Sequence, residues 1–158
     1  MELERLETLK DSEKSKIYLV FNTENRRILV EKYLQGNLPI YQRLMNLPHP
    51  YLPKLYEVRS GPDETVIVEE DIEGRSIAEA RPTEKQLRKW LLELCGVLNH
   101  LHRNQIVHRD IKPSNLLIGA DGHIRLIDFD AAREEKPQAE SDTRLIGTRG
   151  YAPPEQYG

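Results

Sequence analysis

Residues 107–117 read VHRDIKPSNLL, and this stretch decides the fold. Asp110, Lys112 and Asn115 are polar groups on a short loop with apolar residues on both sides. Downstream, Asp128 in RLIDFDAAR (residues 125–133) follows Asn115 by thirteen residues. Two β-rich runs, NLLI and HIRLID, lie between them and are joined by the turn GADG, so a hairpin brings Asn115 and Asp128 side by side. An amide oxygen and a carboxylate meeting at a loop edge suit Mg²⁺, which keeps waters and substrate phosphates as its other ligands. Asp110 would then face the bound molecule as acceptor for a hydroxyl proton. Lys112 would neutralise charge on a transferred phosphoryl group.

Upstream of this loop, Thr83 followed by Gln86 is a capping-box signature. Leu87, Trp90, Leu91, Leu94, Leu98 and Leu101 recur at helical spacing on one face. Cys95 lies beside that stripe and reads as a buried, inert thiol. Gly74 marks a change of character. Before it, KIYLVF (16–21) and RRILVEKYL (26–34) are β-rich runs separated by NTEN, a hairpin. PIYQRLMNL (39–47) is a short helix opening on a proline, and KLYEVRS and TVIVEED flank the turn GPDE. Residues 1–73 therefore read as a small, mostly antiparallel sheet with one helix, and 74–158 as a second region. From Asp128 on, no periodicity is visible and the chain reads as a long loop.

The bulk numbers are those of an ordinary soluble protein. The 158 residues are 38% hydrophobic and 31% charged, with net charge −3, and the pI is near 6.0. That balance argues against nucleic acid as a partner. No apolar run is long enough to span a bilayer, and MELERLETLK is too acidic for a signal peptide, so a cytoplasmic location is expected. The single cysteine excludes an intrachain disulfide.

His108-Arg109-Asp110-Ile111-Lys112-Pro113-Ser114-Asn115, Asp128-Phe129-Asp130 and Pro153-Pro154-Glu155 stand in the order and spacing of H-R-D-x-K-x-x-N, D-F-G and A-P-E. The chain resembles the eukaryotic-type serine/threonine protein kinases over residues 8 to 158, covering their small lobe and the first half of the large one. The resemblance implies an α+β, protein-kinase-like fold and use of ATP and Mg²⁺, with a protein serine or threonine as substrate. It implies that Asp110 positions the substrate hydroxyl, that Asn115 and Asp128 hold magnesium, and that Lys112 touches the γ-phosphate. Lys32 in ILVEK matches the family's strand lysine, and Ile17 matches the valine packed on adenine. VIVEED resembles the hinge, with Val68 as gatekeeper and the backbone of Glu69 to Asp71 at the adenine edge. In the activation segment, Thr148 matches the threonine lining the substrate site, and Glu155 the A-P-E glutamate. Ser141 and Thr143 offer hydroxyls whose phosphates could pair with Arg109.

The chain departs from the family in three places. KDSEKSKIY replaces the Gly-rich loop, and the first glycine is Gly36. The turn could still offer N–H groups and two lysines, beside a repelling Asp11 and Glu13. The helix glutamate that orients the strand lysine is missing: Ile40 or Tyr41 takes its place, and Asp128 is the expected partner of Lys32 in the empty protein. Finally, the sequence stops just after the A-P-E-like motif. Self-association, or a missing C-terminal part, would cover apolar surface that the family buries there.

Two other functions compete with a kinase. A pseudokinase-like nucleotide sensor or interaction module would explain the three departures but not the retention of Asp110, Lys112, Asn115 and Asp128. A small-molecule phosphotransferase of related fold shares the histidine–x–Asp loop, yet Lys112, GTRGY and PPE point to the protein kinases. His108 reads as a structural hydrogen-bonding residue, and His49, His100, His102 and His123 as surface or packing residues. Asp130 stands where the family has glycine. It reads as one of the few residues that tolerate a left-handed backbone there.

Overall fold

The computed structural model describes residues 1–135 together with Tyr151, Pro153 and Glu155. They form two units. One comprises Met1–Pro48 and Pro53–Ile72, the other His49–Leu52 and the described residues from Glu73 onward. The segment His49–Leu52 thus groups with the second unit, although the sequence reading kept it in the first.

The first unit is a five-stranded antiparallel sheet with one helix. Its strands are β1 (Leu3–Asp11), β2 (Ser15–Asn22), β3 (Arg27–Gln35), β4 (Leu55–Ser60) and β5 (Glu64–Glu70), in the order β1-β2-β3-β5-β4. Helix α1 (Ile40–Met45) follows β3 and buries Ile40, Tyr41 and Leu44. The β2–β3 hairpin closes where the Arg26 N–H donates to Asn22 O at 2.8 Å, with Arg26 at φ 58°. Thr65 ties the loop after β3 to β5: its hydroxyl donates to Gly36 O at 2.8 Å and accepts from the Leu38 N–H at 2.9 Å.

Strand β1 had no signature in the sequence. Its leucines fall three apart, at 3, 6 and 9, so no period of two is visible. The pairing with β2 skips Leu6 and Leu9, because a bulge lies between Arg5 and Glu7 and another between Thr8 and Lys10. Each bulge inserts one residue and breaks the alternation. What anchors β1 is Arg5. Its guanidinium lies 3.9 Å from the Tyr18 ring centroid, donates to the Tyr33 hydroxyl at 3.2 Å and meets Glu31 at 3.5 Å.

The sheet's two faces differ. Val20, Leu29 and Val68 form a buried cluster on one of them. On the other, Ile17 pairs with Lys32 and Lys32 with Ile67.

In the second unit, β6 (Gly74–Ser76), β8 (Leu116–Gly119) and β9 (Ile124–Leu126) make a three-stranded sheet. β7 (Ile106–Val107) and β10 (Arg133–Glu134) make a two-stranded one, so a short strand lies within the stretch read as a loop. Among the described residues the unit's α-helices are the short α2 (Ile77–Ala80) and the 20-residue α3 (Glu84–Arg103). The capping box of α3 is formed as expected: the Gln86 N–H donates to Thr83 Oγ1 and the Thr83 N–H to Gln86 Oε1.

Helix α3 buries Trp90, Glu93, Leu94, Val97 and Leu101. Leu87, Leu91 and Leu92 are exposed. Cys95 is exposed as well, which corrects the expectation of a buried thiol. The inward face runs through 90, 94, 97 and 101, and Cys95 is one position past it, turned about 100° around the helix. The Trp90 indole N–H donates to Gly122 O at 2.9 Å, and the buried Glu93 accepts from the Ile124 N–H and pairs with His123 Nδ1 at 2.6 Å. These contacts fix the β8–β9 hairpin on the helix, and the hairpin leads into Asp128. Among the described residues no helix is long and apolar enough to cross a membrane.

Candidate active site

The loop from His108 to Asn115 is held by its own side chains. His108 is 1% exposed. Its Nδ1 accepts the Asp110 N–H at 3.1 Å, so Nε2 carries the proton and donates to Ile127 O at 2.9 Å. Burial pushes the His108 pKa below the ordinary imidazole value, which favours this neutral form. The ring also meets Phe129 edge-on, 4.8 Å between centroids. His108 thus couples the loop to the segment carrying Asp128 and has no nitrogen left for proton transfer.

Arg109 takes a left-handed backbone, φ 67°, and its Nε donates to Ala131 O at 2.8 Å. A further crosslink runs from the Ile127 N–H to Asn115 O at 3.0 Å. The β7–β10 pairing, Val107 to Arg133 and Ile106 to Glu134, closes the arrangement below. Together these bonds place the 108–115 loop alongside residues 127–131.

Three of the expected polar groups gather there. The Asn115 amide donates to Asp110 O at 2.9 Å and to Asp110 Oδ2 at 3.3 Å. Lys112 Nζ lies 3.7 Å from the same Oδ2, with the two side chains 24% and 14% exposed. The Asp110 carboxylate is therefore aimed by an amide donor and a cation, and it keeps a path to solvent. With its amide nitrogen turned to Asp110, Asn115 has its Oδ1 oxygen to offer a cation.

Asp128 holds the left-handed backbone of this segment, at φ 60°. The Asp130 N–H donates to Asp128 Oδ1 at 3.2 Å, a short turn around the carboxylate. This corrects the reading that Asp130 was the left-handed residue: the turn comes two residues earlier, and the side chain stabilising it is that of Asp128 itself. Among the described residues no three His, Cys, Asp or Glu side chains converge as a metal cluster. One carboxylate and one amide oxygen could hold Mg²⁺, the remaining ligands being water and phosphate.

In the first unit, Lys32 Nζ forms an ion pair with Glu69 Oε1. Glu69 shares the Lys32 face of the sheet because Val30, two residues before Lys32, lies opposite it. Val68 points to the other face, into the cluster with Val20 and Leu29, which corrects its assignment as a gatekeeper beside Lys32. The β1–β2 turn is closed on itself. Ser12 N–H donates to Ser15 O at 2.9 Å and Ser15 N–H to Ser12 Oγ at 3.2 Å, so these two N–H groups are already committed.

The family description "protein kinase domain" matches residues 8–157. The chain belongs to the protein kinase family. It is 30% identical over 145 residues to a probable serine/threonine-protein kinase of Dictyostelium discoideum, covering 89% of this chain and 32% of that one. Serine/threonine-protein kinase cds1 of Schizosaccharomyces pombe is 32% identical over 149 residues, 89% of this chain and 32% of its own. Serine/threonine-protein kinase D of a Synechocystis strain is 32% identical over 143 residues, 85% and 28%. The chain thus spans about a third of the length of these relatives.

Its α+β fold, an antiparallel sheet with one helix followed by a helical region carrying the H-R-D loop, is the fold expected of the family. Of the residues that the resemblance assigns to an activation segment, Arg109 lies in the loop just described and Glu155 is exposed. Ser141, Thr143 and Thr148 lie outside the described residues. The sequence points to Asp128 as the partner of Lys32, whereas an ion pair is found with Glu69. The helix's lack of a carboxylate was visible in the sequence, but the register that sets Glu69 diagonal to Lys32 is a property of the paired strands.

Proposed function

We propose that the chain is a serine/threonine protein kinase domain that uses ATP and Mg²⁺ to phosphorylate a protein hydroxyl. The observation that carries this reading is the Asp110 carboxylate, aimed by Asn115 and Lys112. In the reaction, the substrate oxygen bonds to the γ-phosphorus as the bond to the β–γ bridging oxygen breaks. The hydroxyl proton passes to Asp110, and ADP leaves. Lys112 offsets charge on the moving phosphoryl group, and Lys32 holds the α- and β-phosphates. Ile17 and the backbone of Glu69 to Asp71 would meet the adenine. Mg²⁺ on Asp128 and Asn115 would neutralise phosphate charge.

With γ-labelled ATP and a generic protein substrate, the chain should yield phosphoserine or phosphothreonine. Asp110→Asn should lose about 10²-fold or more in turnover while still binding ATP. Equal turnover in that variant would refute the role of Asp110.

A second reading, a nucleotide-binding module without transfer, is favoured by the self-closed Ser12–Ser15 turn, which replaces a glycine-rich phosphate cradle. Binding of ATP by the wild-type chain with no label transfer would select it.

A further inference from the structure

Helix α1 has no acidic residue in its first turn, and both candidates for the missing glutamate's position, Ile40 and Tyr41, are buried apolar side chains. A carboxylate that meets Lys32 comes from strand β5. Lys32 lies opposite Ile67, and Glu69 opposite Val30, so Lys32 and Glu69 are diagonal neighbours on one face of paired strands. Val30 and Ile67 between them are buried, and the two charged side chains are only 21% and 13% exposed.

Such a pair is a weak way to stabilise a sheet. Removing two charges from water offsets much of their attraction, and apolar residues of similar volume would pack at least as well. A carboxylate is nevertheless present where the register delivers it to Lys32. We propose that Glu69 is the positioning residue for Lys32, doing from the sheet what a helix glutamate does elsewhere in the family. The proposal rests on the reading of the chain as an ATP-dependent kinase.

The location has a physical consequence. In the family, the ion pair between the strand lysine and the helix glutamate forms only when the helix is correctly placed, which is where control is exerted. Here both partners belong to strands whose pairing runs from Leu29 opposite Glu70 to Gln35 opposite Glu64. Moving α1 does not break a contact between β3 and β5. Lys32 is therefore oriented whenever the sheet is folded.

The test compares the wild-type chain with Glu69→Gln, Glu69→Asp, Lys32→Met and the Lys32→Met/Glu69→Gln double variant. Each is assayed for kcat and KM with MgATP, for ATP affinity by titration, and for thermal unfolding. Glu69→Gln should lower kcat/KM roughly 10- to 100-fold through misplaced phosphates, and Glu69→Asp should recover part of that. In the Lys32→Met background, Glu69→Gln should cost nothing more. A merely structural role would instead lower the melting temperature while leaving kcat/KM and ATP affinity unchanged.

If Glu69→Gln keeps wild-type kinetics while Lys32→Met and Asp110→Asn abolish transfer, the positioning role is overturned and the kinase reading stands. If the wild type transfers no phosphate, ATP affinity decides. Non-additive losses at 32 and 69 support the positioning role, and an indifferent Glu69→Gln overturns it. If ATP is not bound at all, both readings fall.

Discussion

The imidazole of His49 lies 4.9 Å from that of His100, ring centroid to ring centroid, and its Nδ1 accepts the Tyr51 N–H at 3.1 Å. Tyr51 in turn stacks on His123 and accepts the Leu126 N–H on its carbonyl. A four-residue segment is thereby fastened to α3 and to the strand that leads into Asp128. Burial, with His100 adding to it, lowers the pKa of His49 below 6.5. The folded state therefore binds this proton less readily than the unfolded chain. Stability should be intact above about pH 6.5 and should decline as pH falls through the depressed folded pKa. Urea midpoints measured from pH 8 to pH 5 should show that decline. His49→Asn, which keeps an acceptor for the Tyr51 N–H without a titrating ring, should flatten it. His108, held low by burial in the same direction, leaves a residual slope.

Gly74 is a contact glycine. A Cβ there would overlap Ile118 O, on the strand that pairs with β6. The obstacle is backbone, so the strands must separate. Gly74→Ala should cost about 1–3 kcal/mol, read as a lower denaturant midpoint with an unchanged slope.

Thr65 is fully buried and its hydroxyl both donates and accepts. Thr65→Val keeps the volume and strands Gly36 O and the Leu38 N–H without their partner. The expected loss is about 1–3 kcal/mol, and Thr65→Ser, which restores the hydroxyl, should lose less. A loss in Thr65→Ser with none in Thr65→Val would mean that the methyl group, not the hydroxyl, matters.

Cys95 is exposed on α3. A disulfide reagent should modify it in the folded protein at a rate within about tenfold of that in urea, since no opening step precedes reaction. Slow labelling that tracks unfolding would mean the thiol is covered in solution.

The elements that could be read from the sequence are those whose signals are local. The hairpins at Asn22–Arg27 and Gly61–Glu64, the capping box of Thr83 and Gln86, and the β8–β9 hairpin each rest on a few consecutive residues. The loop around Asp110 was visible for the same reason. What escaped depends on distant partners. Strand β1 was hidden by its bulges, and β6 and β10 are short and defined only by the strands they meet. Which side of α3 is buried is fixed by the β8–β9 hairpin packed there, so Cys95 was misplaced by one position around the helix. The placement of Val68 and Glu69 turns on the register between β3 and β5, which a single strand's sequence does not carry.

The two bulges of β1 also bear on solubility. β1 is an edge of the five-stranded sheet, and it is long, exposed and carries two outward leucines. A straight strand of that kind would template pairing with another chain. Leu6 and Leu9 interrupt the ladder, and Glu4, Glu7 and Lys10 set charges along it, so a second strand would find no regular row of donors and acceptors. The irregularity that hid β1 from the sequence reading also guards the sheet against edge-to-edge aggregation.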